Sequence, residues 1–249
     1  MTCALVTPWW RARATDTAAT EVDGEVAATA ILNWRHPRVA ALLDVVRRHE
    51  PADAAELLRV AHHVIADTVR PVYSVDDAQP VSRTLRRGRG SCSQRLAALE
   101  AVARASGVPT RVRGLLVDGS FWYPRFPRLR FLVPDRVLLA WPEFLLGGSW
   151  IQAAELFGSL AELGDGAASG FTNADGETLF DALSRTAVDW NGVTSLPGAC
   201  SACDLSATVL ADLGRFPSRD ALFAAHGQTL SPPVRTLAEP VLSRWSPVQ

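Results

Sequence analysis

A helix start at Ser91 and a chain reversal at Gly107 constrain the fold more than any other feature. Ser91 and Gln94 fit the S-x-x-Q capping box, which places Cys92 in the first turn of a helix. Apolar residues then recur at helical spacing until Gly107, a usual helix terminator. Val108-Pro109 reverses the chain, and the apolar run that follows predicts a strand over residues 111–117. The segment is therefore expected to form a helix–turn–strand unit.

Cys92 lies where a cysteine is expected to be reactive. The dipole and the free N–H groups of a helix N-terminus favour a thiolate over a thiol. Nearby arginines add positive charge around the same sulfur: Arg86, Arg87, Arg89 and Arg95. The alternative is a buried structural cysteine that happens to begin a helix, because free cysteines are often buried.

Two spaced motifs resemble a known family. The first is R-G-R-G-S-C, a helix and G-V-P-T-R-V at residues 87–112; the second is L-A-W-P-E-F-L-L-G-G-S-W-I-Q-A at residues 139–153. Over about residues 30–157 the chain resembles transglutaminase-like proteins, which share a papain-like core. The resemblance implies an α+β fold in which a helix with an N-terminal cysteine nucleophile packs on an antiparallel sheet.

The second motif departs from the family pattern at the catalytic positions. Trp141, Glu143 and Trp150 match it, but Leu139 stands where the resemblance places the catalytic histidine. Ala153 and Ala154 occupy the region of the catalytic aspartate. We therefore expect a divergent member of the transglutaminase-like superfamily that keeps the fold and the cysteine and has a non-standard triad.

The domain organisation follows from a change in composition near residue 158. Residues 1–157 are expected to form the transglutaminase-like core with an N-terminal arm. Residues 158–176 are rich in Gly, Ala, Ser and Asp, which is typical of a linker or long loop. Residues 158–249 are then expected to form a helical C-terminal extension packed on the core. Its predicted helices lie near residues 177–188, 204–213, 219–226 and 233–245.

Glu143 is the predicted second catalytic residue. With the two-residue period of a strand, Leu139, Trp141 and Glu143 project from one face, so the Glu143 carboxylate could move a proton or hold an amine. A structural role for Glu143 is the alternative, because the family pattern also has a glutamate at this position. The predicted substrate-binding residues are Trp141, Leu139, Arg89 and Arg95.

The five histidines are poorly placed to act as the base. His62 and His63 are expected on the surface of an early helix or half-buried. His226 is the one histidine after Cys92, and a helix C-terminus explains it without catalysis.

Composition excludes several kinds of chemistry. All 25 basic side chains are arginine, which excludes a Schiff-base lysine, a pyridoxal-phosphate attachment site and a P-loop. Cys200-x-x-Cys203 has no second ligand pair at metal spacing, so no metal and no cofactor is expected, and two core cysteines are the favoured interpretation. No signal peptide or membrane span is recognised, and a cytoplasmic location is predicted.

Residues 121–131 interleave aromatic residues with Arg125, Arg128 and Arg130, within a stretch that is rich in arginine. Such guanidinium groups could meet the phosphates of coenzyme A or of a carrier-protein phosphopantetheine. The alternative is an extended, proline-punctuated strand with its aromatic residues inward. No nucleic-acid module surrounds the segment and the net charge is −1, so neither nucleic acid nor membrane is expected as a partner.

Three functions remain open from the sequence. The first is transfer of an acyl group to Cys92 from an activated thioester, then to an amine, water or an internal nucleophile, in the biosynthetic setting that the resemblance loosely implies. A thioester releases its thiol readily, whereas amide cleavage needs a general acid for the departing amine. The second is a catalytically dead relative that binds a partner or ligand. The third is a thiol-independent cyclase or lyase that uses Glu143.

Overall fold

The computed structural model of the protein describes residues 22–165, 170–174, 176–195 and 203–246. A helical layer comes first in the chain. It consists of α1 (Pro37–Arg47), α2 (Ala54–Thr68), α3 (Val81–Arg87) and α4 (Cys92–Ala105), with the short parallel pair β1 (Arg70–Pro71) and β2 (Arg89–Gly90) beside them. The remaining helices are α5 (Leu160–Asp165), α6 (Leu179–Ala182), α7 (Arg219–His226) and α8 (Pro232–Leu242).

The central helix is α4, and the structure confirms its predicted cap. The Ser91 side chain accepts a hydrogen bond from the Gln94 N–H at 3.3 Å, and Gln94 Oε1 accepts one from the Ser91 N–H at 3.2 Å. Every residue from Gln94 to Arg104 is buried, because α1, α2 and α3 cover one side of the helix and the sheet covers the other.

A four-stranded antiparallel sheet packs against α4. Its strands are β3 (Thr110–Asp118), β4 (Arg136–Leu146), β5 (Ser149–Gln152) and β6 (Val209–Phe216), arranged in the order β5-β4-β3-β6. The β4–β5 hairpin turns at Gly147 and Gly148, whose φ angles of 58° and 82° are in the left-handed region that glycine tolerates. The predicted pairing of these two strands is confirmed.

The C-terminal part of the chain contributes a strand to this sheet as well as helices. The helix predicted over residues 204–213 is wrong, because β6 begins at Val209 and pairs with β3. The ion pair between Arg113 on β3 and Asp212 on β6, at 2.7 Å, is one of the contacts that hold the pairing. By contrast, the helices predicted for residues 219–226 and 233–245 are present as α7 and α8. The helix predicted for residues 177–188 is present only in part, as the short helix α6.

The α+β class is confirmed, and the core lies between α4 and the sheet. Residues 138–144 of β4 are all buried, since both faces of the strand are covered. Trp141 is fully buried and meets Trp190 from the C-terminal part edge-on, with ring centroids 5.6 Å apart. Within the described residues, no helix is both long enough and apolar enough to cross a bilayer.

Candidate functional site

Cys92 is the first residue of α4 and is half-buried. Its helix start is held from outside as well as by its own cap, because Gln94 Nε2 donates to Ser74 Oγ at 2.8 Å and to the Asp76 carbonyl at 2.9 Å. Among the described cysteines Cys92 is the free one, while Cys203 is in a disulfide. Cys3 and Cys200 lie outside the described residues. The thiol is therefore placed at a fixed helix N-terminus.

A cavity of about 650 Å³ lies beside Cys92. Its walls come from the loop at residues 72–77, the start of α4, the segment from Phe121 to Leu139 and helix α8. Aliphatic and aromatic side chains predominate in the lining. Two of the described lining residues carry charge, Asp77 and Arg125. The cavity is of the size and character that enclose small organic ligands.

Asp77 is the functional candidate that the sequence analysis missed. It lines the cavity together with Cys92 and with Ser93, the residue after the cysteine. Its own N–H donates to Gln228 Oε1 at 2.8 Å, which fixes the backbone at this point. Burial raises the pKa of the Asp77 carboxyl to about 6, although the Ser93 hydrogen bond and the charge of Arg219 oppose the rise. No spacing rule links position 77 to position 92, so the sequence offered no signal for this pair.

Leu139 faces the cavity with Cys92, as the motif comparison predicts for this position. No described histidine lines the cavity. His62 is buried on α2 and stacks on Phe180 with ring centroids 4.3 Å apart, and burial lowers the pKa of its imidazole to about 4. The prediction of a surface or half-buried position for His62 is therefore wrong. His226 packs edge-on against Phe216.

The structure does not bring Glu143 to Cys92. Its Oε2 is held by Arg111 Nε at 2.6 Å and by Arg215 Nε at 3.0 Å, and the side chain is 1% exposed. Glu143 is not among the cavity-lining residues. Four residues of extended strand separate it from Leu139, a distance of about 13 Å. The carboxylate therefore joins β4 to β3 and β6, and the structure places it away from the cavity that Cys92 lines.

Three of the predicted substrate-binding residues also lie away from the cavity. Trp141 is fully buried in the core. Arg95 is 1% exposed and forms an ion pair with Asp181 at 2.7 Å. Arg89 is half-buried and does not line the cavity. Of the predicted set, Cys92 and Leu139 are thus the two that meet at one site.

The aromatic–arginine segment forms one wall of the cavity. Phe121, Trp122 and Phe126 line it, so these three aromatic side chains point inward as expected. The expected extended strand is wrong, because the segment contains 3-10 turns at Gly119–Trp122 and Arg130–Leu132, and Phe131 is exposed. Arg125 Nε donates to Asn173 Oδ1 at 2.6 Å, so this guanidinium supports the wall. The neighbouring Arg128 and Arg130 are exposed, on either side of the lining residue Leu129.

No three His, Cys, Asp or Glu side chains of the described residues come together as a metal site would require. The cavity also holds no cluster of phosphate-binding groups in its lining, where the positive charge is that of Arg125. The chemistry that the arrangement offers is therefore that of a thiol, a carboxyl with a raised pKa and an apolar enclosure.

Comparison with known families agrees with this geometry. Residues 40–154 match the family model described as the transglutaminase-like superfamily. The match includes α4 with Cys92 and the strands β3 to β5. No curated protein matches the chain.

Proposed function

Because residues 40–154 form a divergent core of the transglutaminase-like superfamily, which includes cysteine-dependent acyltransferases, we propose that Cys92 accepts an acyl group from an activated thioester. An amine, water or an internal nucleophile then takes the acyl group from the cysteine. The observation that carries this proposal is the position of the Cys92 thiol, at a capped helix N-terminus and in the wall of a largely apolar cavity.

The proposed first step exchanges one thioester for another. The Cys92 sulfur attacks the carbonyl carbon, a carbon–sulfur bond forms to Cys92, and the bond to the leaving thiol breaks. The proton of the Cys92 thiol ends on the leaving thiolate. This step needs no strong general acid, because a thiolate is a good leaving group. A site with Leu139 in place of histidine is therefore better suited to thioesters than to amides, whose amine must be protonated as it leaves.

We assign to Asp77 the role of accepting the proton of the Cys92 thiol. With a pKa raised to about 6 by burial, its carboxyl is ionised at neutral pH and remains a base of useful strength. It lines the same cavity as the thiol and as Ser91 and Ser93 at the start of α4. The proton passes from Cys92 to Asp77 and from Asp77 to the leaving thiolate, directly or through a water.

Coenzyme A or a carrier-protein phosphopantetheine is the proposed carrier of the acyl group. The exposed guanidinium groups of Arg128 and Arg130 flank Leu129, which lines the cavity. Phosphates bind well to arginine because the planar guanidinium donates two hydrogen bonds at once. The segment could therefore hold the phosphate end of the carrier while the thioester reaches Cys92.

A ligand-binding protein without catalysis is the second candidate. Leu139 supports it, because this apolar side chain lies at the cavity in the place where the family pattern has histidine. The thiol-independent cyclase or lyase loses its main support, since two arginines hold the carboxylate of Glu143 away from the cavity.

Acylation of the protein by a simple thioester tests the proposal. Hexanoyl-N-acetylcysteamine is added to the folded protein, and intact-mass spectrometry follows the gain of one hexanoyl group, located on the Cys92 peptide. The urea-unfolded protein serves as the control for ordinary thiol reactivity. We expect faster acylation in the folded state and none in Cys92→Ala. Equal rates in the folded and unfolded protein would overturn the proposal and favour the binding function.

A further inference from the structure

Helix α8, near the C-terminal end of the described residues, covers one side of the cavity. Val234, Ala238 and Val241 on this helix line the cavity, and Trp245 follows just after its end. None of the α8 residues is buried in the protein core. The inner face of the helix therefore meets the cavity and not the packed core.

Polar contacts at the rim hold this helix over the cavity. The Glu239 carboxylate accepts from Ser74 Oγ, at 2.9 and 2.8 Å for its two oxygens, and from the Val75 N–H at 2.9 Å. Ser74 Oγ in turn accepts from Gln94 Nε2, the side chain that completes the cap of α4. The cover of the cavity and the helix start that carries Cys92 thus share one hydrogen-bond network.

Hydrogen-bonding side chains lie at the start of α4, where Ser91 and Ser93 flank Cys92 in the cavity lining, and Asp77 lines the same cavity. The walls contributed by α8 and by residues 129–139 are mainly aliphatic. A ligand whose reactive group meets Cys92 therefore has hydrogen-bonding groups beside that end and apolar side chains available along these two walls.

We infer that the substrate is a thioester of a long, apolar acyl group, whose chain lies beneath α8 while its carbonyl meets Cys92. This inference rests on the proposed acyl transfer and adds the chemical class of the acyl group. A cavity of about 650 Å³ is far larger than an acetyl group needs. Each methylene that leaves water for such walls is expected to strengthen binding about fourfold.

Acyl chain length is the first variable of the test. Acetyl-, hexanoyl- and decanoyl-N-acetylcysteamine are compared by the rate at which each acylates Cys92. We expect kcat/KM to rise by about fourfold per added methylene over the first several carbons. Equal kcat/KM values for acetyl and decanoyl thioesters would overturn the inference and leave the proposed acyl transfer standing.

The cover helix offers a matched pair of variants. Ala238 faces the cavity, whereas its neighbour Leu237 is 79% exposed and does not line it. Ala238→Phe is expected to remove the preference for decanoyl over acetyl, and its melting temperature, compared with that of the wild-type protein, reports that the variant is folded. Leu237→Phe is expected to keep the preference. The inference fails if the two variants behave alike.

Binding without reaction separates the inference from the proposed function. Isothermal titration calorimetry measures decanoyl-N-acetylcysteamine on Cys92→Ala, and on the same variant with Ala238→Phe. If Cys92→Ala binds the thioester and Ala238→Phe abolishes the binding, the cavity holds an apolar ligand. This conclusion stands even if no thioester acylates the wild-type protein, since the absence of acylation would overturn only the transfer reaction. No binding to Cys92→Ala would overturn the apolar ligand.

Discussion

Replacing Asp77 by Asn removes a carboxylate that the folded protein ionises at an energetic cost. Burial raises the pKa of this carboxyl from 3.8 to about 6, so the folded state favours the protonated form. Above pH 6 the carboxylate is charged in both the folded and the unfolded protein, and the charge is worse solvated in the folded one. Stability from this group is complete below the unfolded pKa of about 4 and is lost as pH rises through about 6. Asn is neutral throughout and avoids the loss.

The size of the effect follows from the shift. A change from 3.8 to about 6 corresponds to about 3 kcal/mol for a group that is wholly removed from water. The Asp77 side chain keeps partial contact with solvent, which lowers the expected value to about 1–2 kcal/mol. In a chain of this size we expect Asp77→Asn to raise the melting temperature by about 3–6 °C at pH 8. At pH 3.5 the two proteins are expected to melt together.

The same substitution is expected to slow the acylation of Cys92. Loss of a proton acceptor costs about 10²- to 10⁴-fold in rate, and the rise of the rate through pH 6 should flatten. Asp76→Asn is the matched control, since this neighbouring carboxyl does not line the cavity. Calorimetric melting at pH 3.5 and pH 8 and the pH profile of acylation give the two measurements. An Asp77→Asn protein that is no more stable at pH 8, or that acylates at the wild-type rate, would refute the assignment.

Two further substitutions separate structural from functional charges. Glu143→Gln leaves Arg111 and Arg215 without their shared carboxylate, so denaturant unfolding should show that the free energy of unfolding falls by about 3 kcal/mol or more. The acylation rate of the folded fraction should not change. A selective loss of that rate would support a catalytic role for Glu143. Arg128→Glu combined with Arg130→Glu should raise KM for a coenzyme A thioester about fivefold or more. The same pair should leave KM for the N-acetylcysteamine thioester unchanged, and equal effects on both would exclude phosphate binding at this segment.

The elements that the sequence predicted well are those fixed by local signals. The cap of α4 depends on Ser91 and Gln94, three residues apart, and the β4–β5 turn depends on two consecutive glycines. The strand β6 depends on pairing with β3, about a hundred residues earlier in the chain. Its alanine and leucine content favours a helix locally, and the tertiary pairing overrides that preference. A single sequence does not contain the pairing.

The residues of the candidate site show the same distinction between local sequence signals and long-range contacts. Cys92 and Leu139 were placed together by two motifs whose separation is a property of the fold, and the structure brings them to one cavity. Glu143 was assigned to the site because it shares a strand face with Leu139, but a shared face says nothing about distance along the strand. The residues that decide its role, Arg111 and Arg215, come from two other strands. Asp77 sits in a loop, where no periodicity predicts which side chain points inward.

The exchange of histidine for leucine and the raised pKa of Asp77 are two parts of one arrangement in the function we propose. An ordinary imidazole has a pKa near 6.5, and burial gives the Asp77 carboxyl a pKa of about 6. In the proposed reaction, a carboxyl of this strength would perform the proton transfer that histidine performs at neutral pH. The wall position at Leu139 then needs no polar group and becomes part of the apolar lining. Restoring the imidazole by Leu139→His should therefore weaken decanoyl binding more than it accelerates the reaction, because the new polar group lies where the chain is buried.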